Sequence, residues 1–258
     1  MRVMDELDIL EFTWKGIIFF SLVTAVLQLL ITAPYGRFSR SGWGFTMDPR
    51  FTWVMQESPS FLVPLFVAGY LGGDQLKGTL TPNIVLLSMF LLHYFQRSFF
   101  YPFVMKGSKP VPVVVFLMAM SFCTINGYIQ SRYLLHYYSY SHQWFYDPRL
   151  LIGIVLFLFG MAINIHSDTV LRNLRKPNET GYKIPKGGFF ELVSCANYFG
   201  ETLEWWGFGV ACWSPPALTF SLFTTCMLGT RALSHHKYYL EKMEDYPKDR
   251  KAFIPFIC

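Results

Sequence analysis

The sequence predicts an all-α integral membrane protein with seven transmembrane helices, its N-terminus outside or lumenal and its C-terminus cytoplasmic. Three observations support this. Of 258 residues, 52% are hydrophobic and 19% aromatic, while only 15% are charged, where soluble domains carry roughly 25%. The mean hydropathy is positive, +0.30. Finally, long apolar runs recur, and a hydrocarbon core of roughly 30 Å needs about 20 such residues to cross it. So few charges would leave the surface of a soluble enzyme of this length uncovered, and disorder or a disulfide scaffold fits no better.

Seven candidate spans follow in order. They are Trp14–Ala33, Phe51–Leu71, Asn83–Phe103, Pro112–Leu134, Leu150–Ile165, Phe189–Trp213 and Pro216–Ala232. Pro59 and Pro64 interrupt the second, the sixth carries Glu191, Glu201 and Glu204, and the seventh is short and runs into a charged tail. The segment Met1 to Asp8 is acidic, the wrong charge for a signal peptide, so the first apolar run is expected to stay in the protein. With seven crossings, the connections after spans one, three, five and seven share one side and hold most of the Lys and Arg. The positive-inside rule makes that side cytoplasmic. It also makes that face attractive to a polyanionic ligand.

Five cysteines are scattered and never form a C-x-x-C pair, so neither a disulfide framework nor a zinc site is legible. There is no G-x-G-x-x-G or G-x-x-x-x-G-K-[ST] motif, which excludes Rossmann and P-loop nucleotide binding. No repeat or linker divides the chain, and one domain, 1–258, is the expectation. The sequon Asn178-Glu179-Thr180 lies on the expected cytoplasmic side, where glycosylation is not expected.

Ionisable groups inside spans are costly, and each is a functional candidate. Four clusters stand out. In Gln56-Glu57-Ser58-Pro59, the proline removes a backbone donor and is expected to let the helix open, so that the Glu57 carboxyl projects into a cavity, although a polar turn at the membrane surface has the same sequence. In His93-Tyr94-x-x-Arg97, Tyr94 and Arg97 share a helical face with Tyr101, but taken alone the pattern reads as an ordinary membrane tyrosine and an arginine snorkelling to the interface. Asn164, Asp168, Leu171 and Arg175 fall at i, i+4, i+7 and i+11, a single stripe read as a binding face. Asn197, Glu201 and Glu204 repeat that spacing. Two carboxylates a turn apart need cations, and Arg231 and His235, followed by His236 and Tyr239, are read as supplying them. Together the clusters describe a polar pocket open to the basic side.

The stretch Asn164-x-x-x-Asp168-x-x-Leu171-x-x-Leu174-Arg175, the run Tyr182-Lys183-Ile184-Pro185-Lys186-Gly187-Gly188-Phe189-Phe190, and Asn197-Tyr198-Phe199-Gly200-Glu201 resemble the C-terminal half of steroid 5-alpha-reductases (3-oxo-5-alpha-steroid 4-dehydrogenases). So does the ending from Arg231-Ala232 through His235-His236 and Glu244-Asp245-Tyr246-Pro247 to Ile254-Pro255-Phe256. Gln56-Glu57 and His93-Tyr94-Phe95-x-Arg97 resemble that family's substrate-side residues. The resemblance implies a membrane reductase using NADPH to saturate the 4,5 double bond of 3-oxo-4-ene steroids. Glu57 and Tyr94, supported by Gln56, would hold the 3-keto oxygen. Asn164, Asp168, Arg175, Asn197, Glu201, Arg231, His235, His236, Tyr239 and Arg97 would line the NADPH site, with Arg37 and Arg40 as further phosphate contacts. The substrate side would fall mainly in 1–135 and the NADPH side in 160–258. The partners implied are the steroid, NADPH and the bilayer, with no nucleic acid and no metal. The protein would be a monomer in the endoplasmic reticulum if eukaryotic, or in the inner membrane if bacterial. Two rival readings are the same fold acting on another lipid double bond, and an ion-relaying transporter or channel.

Overall fold

The computed structural model describes residues 4–71, 80–175, 179 and 181–258. The sequon falls largely outside them. The described residues form eight α-helices: α1 (Glu6–Leu30), α2 (Pro49–Phe66), α3 (Pro82–Phe99), the one-turn α4 (Tyr101–Val104), α5 (Val113–Arg132), α6 (Pro148–Asn173), α7 (Ala196–Cys212) and α8 (Pro215–Lys242). The seven longer helices correspond to the seven apolar runs. Four of them, α1, α3 with α4, α5 with its π-helical extension, and α6, are long and apolar enough to cross a membrane by length and composition.

Local chemistry sets the helix starts. Proline opens α2, α3, α6 and α8, where its missing N–H costs nothing and its fixed φ suits the first turn. Asp48 and Asp147 cap α2 and α6 by accepting from Arg50 N at 2.9 Å and Arg149 N at 2.8 Å. Asp5 and Asp8 form a capping box at α1. Arg149 also donates to Asp147, holding that carboxyl down at a pKa of about 2.

Several span limits shift. Phe189 to Glu191 lie in a 3₁₀ turn rather than in the sixth span, because Gly187 and Gly188, with φ of 92° and 57°, turn the chain sharply. Val193 then pairs in parallel with Lys251, and α7 starts only at Ala196. Helices α6 and α8 run well past Ile165 and Ala232. Pro59 and Pro64 do not break α2, which continues through both. Gly127 of α5 fits against Pro59 O and Ser60 Cα, where an added Cβ would lie 3.2 Å away, and Ser60 Oγ donates to Cys123 O at 3.0 Å. Packing against α5 holds this segment helical despite the lost backbone bond.

The closest packing joins α6 to α7. A methyl on Gly153 would sit 2.5 Å from Ala211 N, and one on Gly200 would sit 2.5 Å from Asn164 N. Gly160 meets the backbone of Glu204, and Gly207 that of Phe157, more closely still. Small residues at these crossings let two helices touch backbone to backbone. Around this pair lies an aromatic core, in which Trp205 packs on Phe220 (centroids 4.3 Å apart), Phe90 (5.7 Å) and Phe208 (5.8 Å). A two-residue antiparallel ribbon, β1 (Thr46–Met47) with β2 (Val111–Pro112), ties the segment before α2 to the segment before α5.

Candidate active site

Helix α3 carries the central polar stripe. Arg97 is buried, its guanidinium 4.3 Å over the Tyr101 ring and 5.2 Å over Trp53. Its Nη1 donates to Asp168 Oδ2 at 3.1 Å, and Nη2 lies 3.7 Å from Glu201 Oε2. One cation thus stands between a carboxylate of α6 and a carboxylate of α7. One turn back, His93 Nδ1 meets Glu204 Oε1 at 2.8 Å, both groups buried. Arg97 does not snorkel. It is an interior clamp across three helices.

This corrects the pairing expected from sequence. Glu201 finds its cation on α3, in Arg97, and Glu204 its hydrogen-bond partner there, in His93, and neither pairs with Arg231 or His235. Arg231 turns instead to the α1–α2 connection, donating to Ala33 O (3.0 Å) and Tyr35 O (2.8 Å) with its guanidinium 3.8 Å over the Tyr35 ring. The i, i+3 spacing of Glu201 and Glu204 puts both on one face of α7, and that face packs on α3.

The glycine contacts of α6 and α7 bring the two amide–acid stripes together. Asn164 Nδ2 donates to Asn197 O at 2.9 Å and to Glu201 Oε2 at 3.3 Å, and Asn197 Nδ2 donates to Asp168 Oδ1 at 3.2 Å. On α2, Gln56 Nε2 donates to Glu57 Oε1 at 3.4 Å, while Cys123 Sγ lies 3.8 Å from Glu57 Oε2. Glu57 is within electrostatic reach of His93, Tyr94 and Arg97. Hydrogen bonds and ion pairs therefore link α3 to α6 and α7, while Gln56 and Glu57 of α2 meet each other and Cys123 of α5.

At one end of the bundle the linked set on α3, α6 and α7 meets a cavity of about 340 Å³. Asp168, Arg175, Asn197, Arg231, His235 and Tyr239, all expected from sequence, line it together with the further cations Arg37, Lys106, Lys109, Arg172 and Lys183. Asn164, Glu201 and Arg97 lie behind the wall and support it. Arg40 sits away, 5.5 Å over the Trp43 ring. His236 points elsewhere, its Nδ1 2.6 Å from Ser194 Oγ, which is itself 2.5 Å from Tyr246 OH.

Among the lining residues, Tyr35 and Trp53 were not singled out from sequence, and Tyr182 and Tyr198, quoted within the resembling runs, were given no role. Aromatic residues are common throughout the chain, and no spacing distinguishes these. Arg37 is enclosed by the rings of Tyr239 (4.3 Å), Tyr182 (4.4 Å) and Tyr238 (4.6 Å) and donates from Nη2 to Tyr239 OH at 2.8 Å. Its Nε and Nη1, and Nε of Arg231, are buried with no hydrogen-bond partner among the described residues. Buried unpaired donors on two fixed guanidinium groups suit an anionic ligand, phosphate above all. His235, beyond the seventh span, has its pKa lowered by burial and then by Arg231 and Arg37. It is a neutral hydrogen-bonding group here, and the positive charge comes from arginine and lysine. Among the described residues no group of three or more His, Cys, Asp or Glu side chains is placed to hold a metal.

A family profile described as 3-oxo-5-alpha-steroid 4-dehydrogenase matches residues 109–258. The chain is 53% identical over 236 residues to 3-oxo-5-alpha-steroid 4-dehydrogenase 1 of Bos taurus, covering 92% of each chain. It is 49% identical over 254 residues to the Mus musculus protein of the same name, covering 98% of this chain and 99% of that one. The human 3-oxo-5-alpha-steroid 4-dehydrogenase 2 is 50% identical over 211 residues, 82% of each chain.

Proposed function

The chain belongs to the 3-oxo-5-alpha-steroid 4-dehydrogenase family and is an oxidoreductase, and we propose that it uses NADPH to saturate the 4,5 double bond of 3-oxo-4-ene steroids. The observation that carries this reading is the buried set of Arg97, Asp168 and Glu201, with Arg97 on the helix that also carries Tyr94, next to a cavity lined by cations. Arg37, Arg175 and Arg231 suit the phosphates there by charge, and Arg37 and Arg231 also by N–H groups that have no hydrogen-bond partner among the described residues. Asp168 and Asn197 offer acceptors and donors to ribose and carboxamide groups. Bound NADPH supplies the hydride that reaches C5 of the steroid.

Tyr94 donates its hydroxyl hydrogen to the 3-oxo oxygen, and Glu57 hydrogen-bonds the same oxygen, with Gln56 holding its carboxyl in place. As C5 is reduced, negative charge builds on the 3-oxo oxygen. Donors already fixed in a dry site stabilise that charge without reorganising. The Arg97 clamp sets the distance between the two halves, because it contacts Asp168 and Glu201 while its own helix carries Tyr94. In this reading the substrate side falls mainly in 1–135 and the cofactor side in 160–258. All seven long helices cross the membrane in one domain, with the cavity end and the C-terminus cytoplasmic and the N-terminus lumenal, in the endoplasmic reticulum. The chain acts as a monomer.

The test is turnover of testosterone or progesterone with NADPH by the detergent-purified protein, with products identified against stereochemical standards. A 5-alpha-dihydro product is expected. Glu57→Gln and Tyr94→Phe are each expected to lower kcat by about 10²–10³-fold while NADPH binding persists. Near-normal turnover in both variants would remove the roles assigned to them.

A further inference from the structure

The buried pair of His93 and Glu204 plays no part in the chemistry above, yet it is costly. A carboxyl and an imidazole within a membrane bundle repay their desolvation only through good geometry. Half of that repayment is missing here, because Glu204 Oε2 is buried with no hydrogen-bond partner among the described residues. A brace evolved for stability alone would satisfy both oxygens or use apolar side chains.

Its surroundings indicate a different use. The His93 ring lies 4.4 Å from Trp205 and 5.1 Å from Tyr94, and Tyr94 lies 5.7 Å from Trp205 and 4.8 Å from Phe90. The imidazole therefore forms one wall of the slot that holds the Tyr94 ring. Its own rotation is fixed by the 2.8 Å bond to Glu204. Glu204 is anchored in turn, since its backbone is pressed against Gly160 of α6. The His93 and Tyr94 rings are nearly perpendicular, at 77°, and no hydrogen bond joins them. This arrangement orients a ring and offers no proton path between the two side chains.

We propose that His93 and Glu204 are positioning residues that transmit the fixed geometry of the α6–α7 contact to the phenol of Tyr94, and so set the aim of the donor that binds the carbonyl oxygen of the substrate. This rests on the reading of Tyr94 given above. The bond between Glu204 and Nδ1 also fixes the tautomer and ring orientation of His93, as a carboxyl group does behind a metal-bound histidine.

The test compares the parent with Glu204→Gln and with the double variant His93→Leu plus Glu204→Leu. Gln keeps an acceptor for Nδ1–H. The double variant removes both polar groups at once, which leaves no orphaned charge and spares the fold. Glu204→Gln is expected to retain kcat within about threefold. The double variant is expected to bind NADPH as the parent does and to lose kcat by about tenfold to hundredfold, the scale of an ångström of misplacement. A fluorotyrosine at position 94 gives a readout independent of activity, expected as one sharp fluorine resonance in the parent and a broadened or split one in the double variant. A folded double variant with parental kcat and an unchanged resonance overturns the proposal. So does a Glu204→Gln variant that binds NADPH yet loses as much turnover as the double variant, because the carboxylate charge itself would then be the requirement. A parent that reduces no steroid overturns the functional reading instead, and the resonance still decides the positioning.

Discussion

Helices α6–α7 and helix α1 are held in the bundle by opposite means. The first two touch through Gly153, Gly160, Gly200 and Gly207, with backbone against backbone and no room for a methyl group. Helix α1 exposes Phe12, Phe19 and Leu30 by 74%, 71% and 77%. Its hydrogen bonds to other helices lie at its two ends. Glu6 accepts from Arg132, Tyr128 and Tyr137 at one end, while Gln28 meets Met227 and Thr230 of α8 at the other. A glycine contact fixes two helices to a fraction of an ångström, and the polar residues carried on that contact inherit the precision. An apolar face turned to lipid needs hydrophobicity and little else. The difference places the rigid frame under Asp168, Asn197 and Glu201, and leaves the first helix tolerant.

The sharpest way to break this contrast is to add one methyl group to each side. Gly160→Ala or Gly207→Ala drives a Cβ into partner backbone that cannot yield, and is expected to cost about 3 kcal/mol or more, read as loss of the folded, monodisperse peak or a steep drop in melting temperature. Next comes Arg97→Leu, which leaves Asp168 and Glu201 facing each other without their cation. A loss of about 3–5 kcal/mol is expected, with Arg97→Lys recovering part of it. Thermal melting of the two variants with and without NADPH separates the stability effect from cofactor binding.

A smaller effect is expected at His236, which lies beyond the seventh span and ties the C-terminal segment to Ser194. Burial, and then Lys251, lowers its pKa. The unfolded chain takes up the proton near the ordinary histidine value of about 6.5, and the folded chain does so only at lower pH. Its stabilising contribution is therefore complete above that value and is lost as the pH falls below it. The melting temperature should fall over that acid window, and His236→Gln should flatten the slope. If the slope is unchanged in the variant, another group is responsible. The smallest change is expected at Gly16 of α1, where an added Cβ meets nothing within 4 Å. Gly16→Ala should leave melting and turnover within about 1 kcal/mol of the parent. A loss as large as that of Gly160→Ala would remove the distinction between the two regions.

Much of the architecture was legible because hydropathy is a property of each segment by itself. The seven apolar runs became the seven long helices, and prolines and acidic caps marked several of their starts. The stripes Asn164–Asp168–Arg175 and Asn197–Glu201 were legible for a similar reason, since i, i+4 spacing places residues on one face whatever that face meets. Partners were less so. Arg97 reads in sequence as a snorkelling cation, and only the approach of α6 and α7 to α3 turns it into a clamp. Arg231 and Glu201 looked complementary and do not pair. The seven-residue spacing of the glycines, Gly153 to Gly160 and Gly200 to Gly207, was present in the sequence but carries no hydropathy signal, so it was passed over although it sets the closest contact in the molecule.

The sequence by itself determined that this chain is helical and apolar enough for a membrane, and which stripes of polar side chains exist. These follow from local composition and helical period. The tertiary structure decided which stripes face each other, that Glu204 belongs to His93 and Arg97 to Asp168 and Glu201, and that among the described residues two guanidinium groups beside the cavity keep donors without a partner. Those are distances between residues far apart in the chain, and within a membrane bundle they are fixed by how closely two backbones can approach.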